Sequence, residues 1–82
     1  MKILITGGSG YVGSRLTYFL LEKYDDMHIY NYDLSFFGDK HLPFNNKNYT
    51  YMKEDIRNSD KFNEILKNKK IDIVLHLACL SN

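Results

Sequence analysis

One cysteine, one proline and no tryptophan occur in these 82 residues. A lone cysteine, Cys79, closes no disulfide within the chain, which points to a reducing, cytoplasmic setting. Charge of one sign is also missing. Eleven basic residues face ten acidic ones, for a formal net charge of +1. That balance gives no electrostatic footprint for nucleic acid or for an anionic membrane surface. The longest apolar run is about five residues, far short of a bilayer span. The N-terminus carries one Lys, a short strand-like run and then glycines. It lacks the apolar region and cleavage site of a signal peptide. The three histidines, His28, His41 and His76, have neither metal-ligand spacing nor acidic or Cys partners arranged around them. Ser9 has no G-x-S-x-G elbow around it.

At this length the chain forms one small domain at most, spanning residues 1–82. At 44% hydrophobic and 26% charged, its composition is that of a soluble globular protein. Four of its five glycines (Gly7, Gly8, Gly10, Gly13) fall within seven residues. Before them, Lys2–Thr6 (KILIT) is short, apolar and β-branched, and reads as a buried strand. After them, Val12, Leu16, Phe19 and Leu20 recur at helical spacing, which predicts a helix over Tyr11–Lys23 with those residues as its apolar face. His28–Asp33 reads as a second strand and Tyr49–Lys53 as a third. Leu34–Asn48, with the only Pro, is a long loop between them. Ser59 is placed to cap a second helix, whose apolar stripe is Phe62, Ile65 and Leu66. Ile71–Ala78 is nearly continuously apolar, as expected of a strand buried on both faces of a parallel sheet. The order β-α-β-loop-β-α-β predicts an open, parallel α/β sheet.

Ligands of such sheets sit beyond the carboxyl ends of the strands. Here the glycines end the first strand and open the first helix, whose N–H groups and partial positive charge suit a phosphate. Glycine serves the tight turn by positive φ and lets the backbone approach a pyrophosphate closely. Both Gly8-x-Gly10-x-x-Gly13 and Gly7-x-x-Gly10-x-x-Gly13 fit dinucleotide patterns. Gly13 would allow close packing of helix on strand. Asp33, twenty residues past Gly13, stands at the end of the second strand. A carboxylate there accepts from the adenosine ribose hydroxyls. It also repels a 2′-phosphate, so NAD is favoured over NADP, although Arg15 and Lys40 reaching the site would weaken that preference.

The run Thr6-Gly7-Gly8-Ser9-Gly10-Tyr11-Val12-Gly13 resembles the extended short-chain dehydrogenase/reductase family, and more narrowly its NAD-dependent epimerase/dehydratase group acting on nucleotide sugars. The resemblance extends from Lys2 to Asn82. It implies the N-terminal half of a Rossmann-type doubly wound sheet with strand order 3-2-1-4. It implies that Gly7, Gly10, Tyr11, Val12 and Gly13 hold the pyrophosphate, Tyr11 and Val12 through backbone N–H groups. Asp55-Ile56-Arg57 is similar to the family's Asp-Ile/Leu-Arg, where the Asp side chain and the N–H of Ile56 would recognise adenine. Asp55 would equally serve to begin the turn before the second helix, and Arg57 reads as a solvated surface residue. His76-Leu77-Ala78-Cys79 is similar to the family's His-Leu-Ala-Ala. There the backbone of Leu77 and Ala78 would line the cofactor, with His76 a hydrogen-bonded core histidine and Cys79 a small packing residue. The aromatic loop Phe36–Phe44 would cover the adenosine or pack on further parts of the domain.

The family's catalytic parts are a Ser or Thr after the fifth strand and a helical Tyr-x-x-x-Lys. The only such string, Tyr49 to Lys53, lies in a predicted strand. There i and i+4 stand about 13 Å apart at ~3.3 Å per residue, not one helical turn. The chain is therefore expected to supply NAD contacts within an epimerase, dehydratase or reductase and none of the chemistry. Nucleotide-sugar binding and a homodimer interface are expected beyond residue 82. The other reading is a non-catalytic nucleotide-binding or regulatory module, or a truncated product without function.

Overall fold

A computed structural model describes residues 1–8, 10–34 and 46–77. Within them the elements are β1 (Lys2–Thr6), α1 (Tyr11–Lys23), β2 (His28–Tyr32), β3 (Tyr49–Met52), α2 (Ser59–Asn68) and β4 (Ile73–His76). The four strands form one sheet in the order β3-β2-β1-β4. Every pairing is parallel, with Lys2 opposite His28, Ile3 opposite Ile73 and Ile29 opposite Tyr49. The α/β class and the 3-2-1-4 order are those expected of half a Rossmann-type sheet.

Strand alternation divides the core in two. Ile3, Ile5, Ile29 and Tyr49 face α1, joined by Leu16, Leu20 and Leu21 of that helix. Leu4, Tyr30 and Tyr32 face the other way, and Phe62, Ile65 and Leu66 of α2 pack on them. The α2 stripe is as the heptad-like spacing predicts. One helix on each face of a parallel sheet covers the apolar side chains that both faces present.

Several readings of the sequence are corrected. The sheet-facing side of α1 is Gly13, Ser14, Thr17 and Leu21. Val12 (64% exposed) and Phe19 (56%) face outward, while Leu16 and Leu20 are half-buried. Small residues are inside because the helix lies close against the glycine turn. Asn58, not Ser59, caps α2: its side chain accepts from the Lys61 N–H at 3.1 Å. The strand expected to be buried on both faces is shorter and largely exposed. Ile73 and Val74, on opposite faces of β4, are each 39% exposed. At one end of the sheet, β4 pairs among the described residues with β1 alone. β2 and β3 also close one residue earlier than expected.

Candidate functional site

The site is built where β1 gives way to α1. Gly7 has φ 74°, a left-handed conformation that favours glycine. Its N–H donates to the Tyr32 carbonyl (3.1 Å), tying the turn to the end of β2. Gly10 is the N-cap of α1 and offers no capping side chain. The first intrahelical bond runs from the Ser14 N–H to the Gly10 carbonyl at 2.9 Å. The N–H groups of Tyr11, Val12 and Gly13 therefore precede the helix's own hydrogen-bond ladder and point out of its N-terminus. No acidic side chain occupies this first turn.

The glycines are glycines for different reasons. A Cβ on Gly13 would lie 2.6 Å from the Gly7 carbonyl oxygen and 2.6 Å from Gly8 Cα, so helix and turn touch backbone to backbone. The close packing expected at Gly13 is thus against the turn rather than the strand. A Cβ on Gly8 would strike the Asn31 side chain. Gly10 differs: with φ −73°, its Cβ would meet only the Gly7 carbonyl oxygen, at an ordinary 3.5 Å. Nothing among the described residues obliges position 10 to be glycine.

Asp33 stands just beyond β2, beside this turn. Its N–H donates to Met52 (3.0 Å) and its carbonyl accepts from the Tyr51 hydroxyl (3.2 Å), so the backbone that carries the carboxylate is held from β3. Asp55 lies beyond β3. Its carboxylate accepts from the backbone N–H of Arg57 (2.9 Å), from Nε (3.0 and 3.1 Å) and from Nη2 (2.6 Å). These bonds from Arg57, side chain first and backbone second, pull the Asp55 pKa down to about 2. The Asn58 N–H donates to the Asp55 carbonyl (3.0 Å), so Asp55 does open the turn into α2. Arg57 is exposed as expected but paired, a fork geometry that the sequence reading passed over. Ile56 is half-buried and packs on the α2-side core.

Beyond β4, the Leu77 N–H donates to the Thr6 carbonyl (3.0 Å), which holds the end of β4 against the start of the glycine turn. His76 is hydrogen-bonded, to Thr6, but it is exposed rather than in the core. Tyr11 (73% exposed) and Val12 turn their side chains to solvent, and the Arg15 guanidinium lies 4.7 Å above the Tyr11 ring. The structure thus gathers Gly7, Gly10, Tyr11, Val12, Gly13, Asp33 and Leu77 at the carboxyl ends of β1, β2 and β4. Asp55 and Ile56 follow the end of β3. Ala78, Cys79, Ser9, Lys40 and the loop Phe36–Phe44 lie outside the described residues.

One buried polar contact was missed: Asn31 donates to the Tyr49 hydroxyl (2.9 Å). Its signal was a lone amide in an otherwise aromatic and aliphatic strand. For His76 the sequence implied a hydrogen bond but not its partner, Thr6. Among the described residues no group of three acidic, His or Cys side chains could hold a metal ion, and no helix is long and apolar enough to cross a membrane.

Comparison with known proteins adds a second line of observation. The family model of GDP-mannose 4,6 dehydratase matches residues 4–82. A dTDP-D-glucose 4,6-dehydratase of Mus musculus is 40% identical over 81 residues, covering 94% of this chain and 23% of that protein. A UDP-glucose 4-epimerase of Klebsiella pneumoniae is 37% identical over 84 residues, covering 98% of this chain and 60% of that protein. The crystal structure of a dTDP-glucose 4,6-dehydratase from Bacillus anthracis in complex with NAD aligns with a TM-score of 0.89 at 26% identity, covering 99% of this chain and 27% of that one. The first relatives are thus much longer: the chain covers 26% of one, an uncharacterised protein of Methanocaldococcus jannaschii, and 20% of a dTDP-D-glucose 4,6-dehydratase of Dictyostelium discoideum. With a match running from Leu4 to its last residue, the chain belongs to the GDP-mannose 4,6 dehydratase family, within the extended short-chain dehydrogenases/reductases.

Proposed function

We propose that residues 1–82 are the NAD-binding part of a nucleotide-sugar epimerase or dehydratase, supplying contacts to pyrophosphate, ribose and adenine. The observation that carries this is Gly10. Its φ is ordinary and its Cβ direction is open, so the packing of the described residues does not account for a glycine there. A ligand lying against the backbone at the helix N-terminus does. Gly7 and Gly13 shape the turn, and the N–H groups of Tyr11, Val12 and Gly13 receive the pyrophosphate oxygens. Asp33 takes the ribose hydroxyls, and its charge favours NAD over NADP. The Asp55 carboxylate and the Ile56 N–H take the adenine. The backbone of Leu77 and Ala78 lines the opposite side. When bound, NAD would supply a hydride acceptor. The catalytic and sugar-binding groups belong to the part of the relatives that this chain does not cover.

Support comes from the solved neighbours, several of which hold NAD, and from relatives named for dTDP-glucose and UDP-glucose. NAD titration of the parent chain and of Gly10→Ala is the test. The variant is expected to melt within a few degrees of the parent and to bind NAD about tenfold more weakly, about one lost close contact. Asp33→Ala is expected to weaken binding as well. Equal NAD affinity in all three proteins overturns the assignment.

A further inference from the structure

Asn31 sits in the middle of β2 with no solvent exposure, opposite Ile5 of β1 and Tyr51 of β3. An amide enclosed among aliphatic and aromatic side chains is costly unless its polar groups are bonded. Its Nδ2 donates to the buried hydroxyl of Tyr49, 2.9 Å away. Tyr49 lies at the start of β3, and burial pushes its phenol up to about 12, so the hydroxyl stays neutral across the working pH range. The other end of the same amide supports the glycine turn. A Cβ on Gly8 would collide with Asn31 Oδ1 and lie 2.7 Å from Cγ. Directly above, a Cβ on Gly13 would lie 2.6 Å from Gly8 Cα. Asn31, Gly8 and Gly13 therefore form a stack, in which strand, turn and helix meet with no room for one more carbon.

We infer that Asn31 is a positioning residue for the dinucleotide. Its amide, tethered by Tyr49, sets the height of the Gly8 turn beneath α1, and so sets where the N–H groups of α1's first turn stand. This inference rests on the NAD reading above. It places the control of pyrophosphate binding on a β2–β3 side-chain contact outside the glycine motif. Asn31 and Tyr49 touch the ligand nowhere in this scheme. They act through Gly8.

The test is a double-mutant cycle joined to a ligand contrast. NAD and adenosine are titrated separately into the parent, Gly8→Ala, Asn31→Ala, the Gly8→Ala/Asn31→Ala double variant and Tyr49→Phe, with chemical shifts and thermal midpoints recorded. Gly8→Ala alone is expected to weaken NAD binding about tenfold or more, because the new methyl lifts the turn off the amide. Asn31→Ala makes room for that methyl. The double variant should therefore bind NAD at least about threefold more tightly than the product of the single effects. Tyr49→Phe removes one oxygen, keeps the ring and is the variant least able to unfold the chain. It should weaken NAD severalfold and leave adenosine, which has no pyrophosphate, unchanged. Independent effects in the cycle overturn the inference. So does a Tyr49→Phe variant that loses NAD and adenosine in equal proportion, since that marks a structural role only. A parent chain that binds no NAD overturns the functional reading and this inference with it, whereas a parent that binds with independent effects overturns this inference alone.

Discussion

The Thr6 hydroxyl lies 2.8 Å from Nδ1 of His76, and the two residues are register partners across the β1–β4 junction. Thr6 is fully buried, while His76 is exposed. With the Leu77 N–H bonded to the Thr6 carbonyl, a single residue ties down the end of the outer strand twice. Thr6→Val keeps the shape and β preference and removes the hydroxyl. It is expected to lower stability by about 1 kcal/mol, the net worth of one such bond. An unchanged urea midpoint would show that the bridge contributes nothing.

The Tyr32 hydroxyl is enclosed without a hydrogen-bond partner among the described residues. Its ring meets Phe62 edge-on, with centroids 5.3 Å apart. Burial, and after it the charges of Glu54 and Asp55, pushes the phenol above its ordinary pKa. An unpaired buried hydroxyl costs ~1–3 kcal/mol, so Tyr32→Phe should be neutral or stabilising by up to about 1 kcal/mol. A clear loss in chemical denaturation would reveal a partner for the oxygen.

Helix α2 depends on both of its ends. Asn58→Ala removes the cap bond to the Lys61 N–H and should cost about 1 kcal/mol, while Ser59→Ala should cost much less. At the other end, the Ile71 N–H reaches the Leu66 carbonyl (3.1 Å) and the Lys70 N–H reaches Lys67 (3.3 Å). This is a Schellman closure with Lys70 at φ 55°, where glycine is ordinarily found. Lys70→Gly should therefore raise stability by roughly 1 kcal/mol, by relieving the left-handed strain. Thermal midpoints of the three variants decide the matter. Loss of stability in Lys70→Gly would contradict it.

His28 introduces a pH dependence. Its Nε2 meets the Thr50 hydroxyl at 2.8 Å, and burial, followed by the charge of Lys2, lowers its pKa below 6.5. The folded state therefore favours the neutral ring. Its stabilising contribution is complete above pH 6.5 and is lost as pH falls through 6.5 towards the lower folded value. Denaturant midpoints should drop between pH 7.5 and 5.5, and His28→Gln should flatten that drop. Asp55 acts in a separate window: its contribution is complete above its ordinary pKa of 3.8 and is lost as pH falls towards about 2.

Much of this protein is legible along the chain, because period and turn chemistry are local properties. The alternation of Ile3, Leu4 and Ile5, the helical spacing of Phe62, Ile65 and Leu66, and the glycine cluster named the elements and their order. Asp33 falls at the end of β2, where its spacing from Gly13 puts it. What the sequence could not supply depends on distances between segments far apart in it. The inner side of α1 is Gly13 and Thr17 instead of Val12 and Phe19, because the helix lies against the turn closely enough that only small residues fit. β4 is apolar yet exposed at Ile73, Val74 and His76 among the described residues, as its place at the end of a 3-2-1-4 sheet implies. The sequence assigns Asn31 no part; only the fold sets Gly8 on one end of its amide and Tyr49 on the other. Local sequence determined which segments are strands, helices and turns, and only packing decided which side chains bear on the glycine turn.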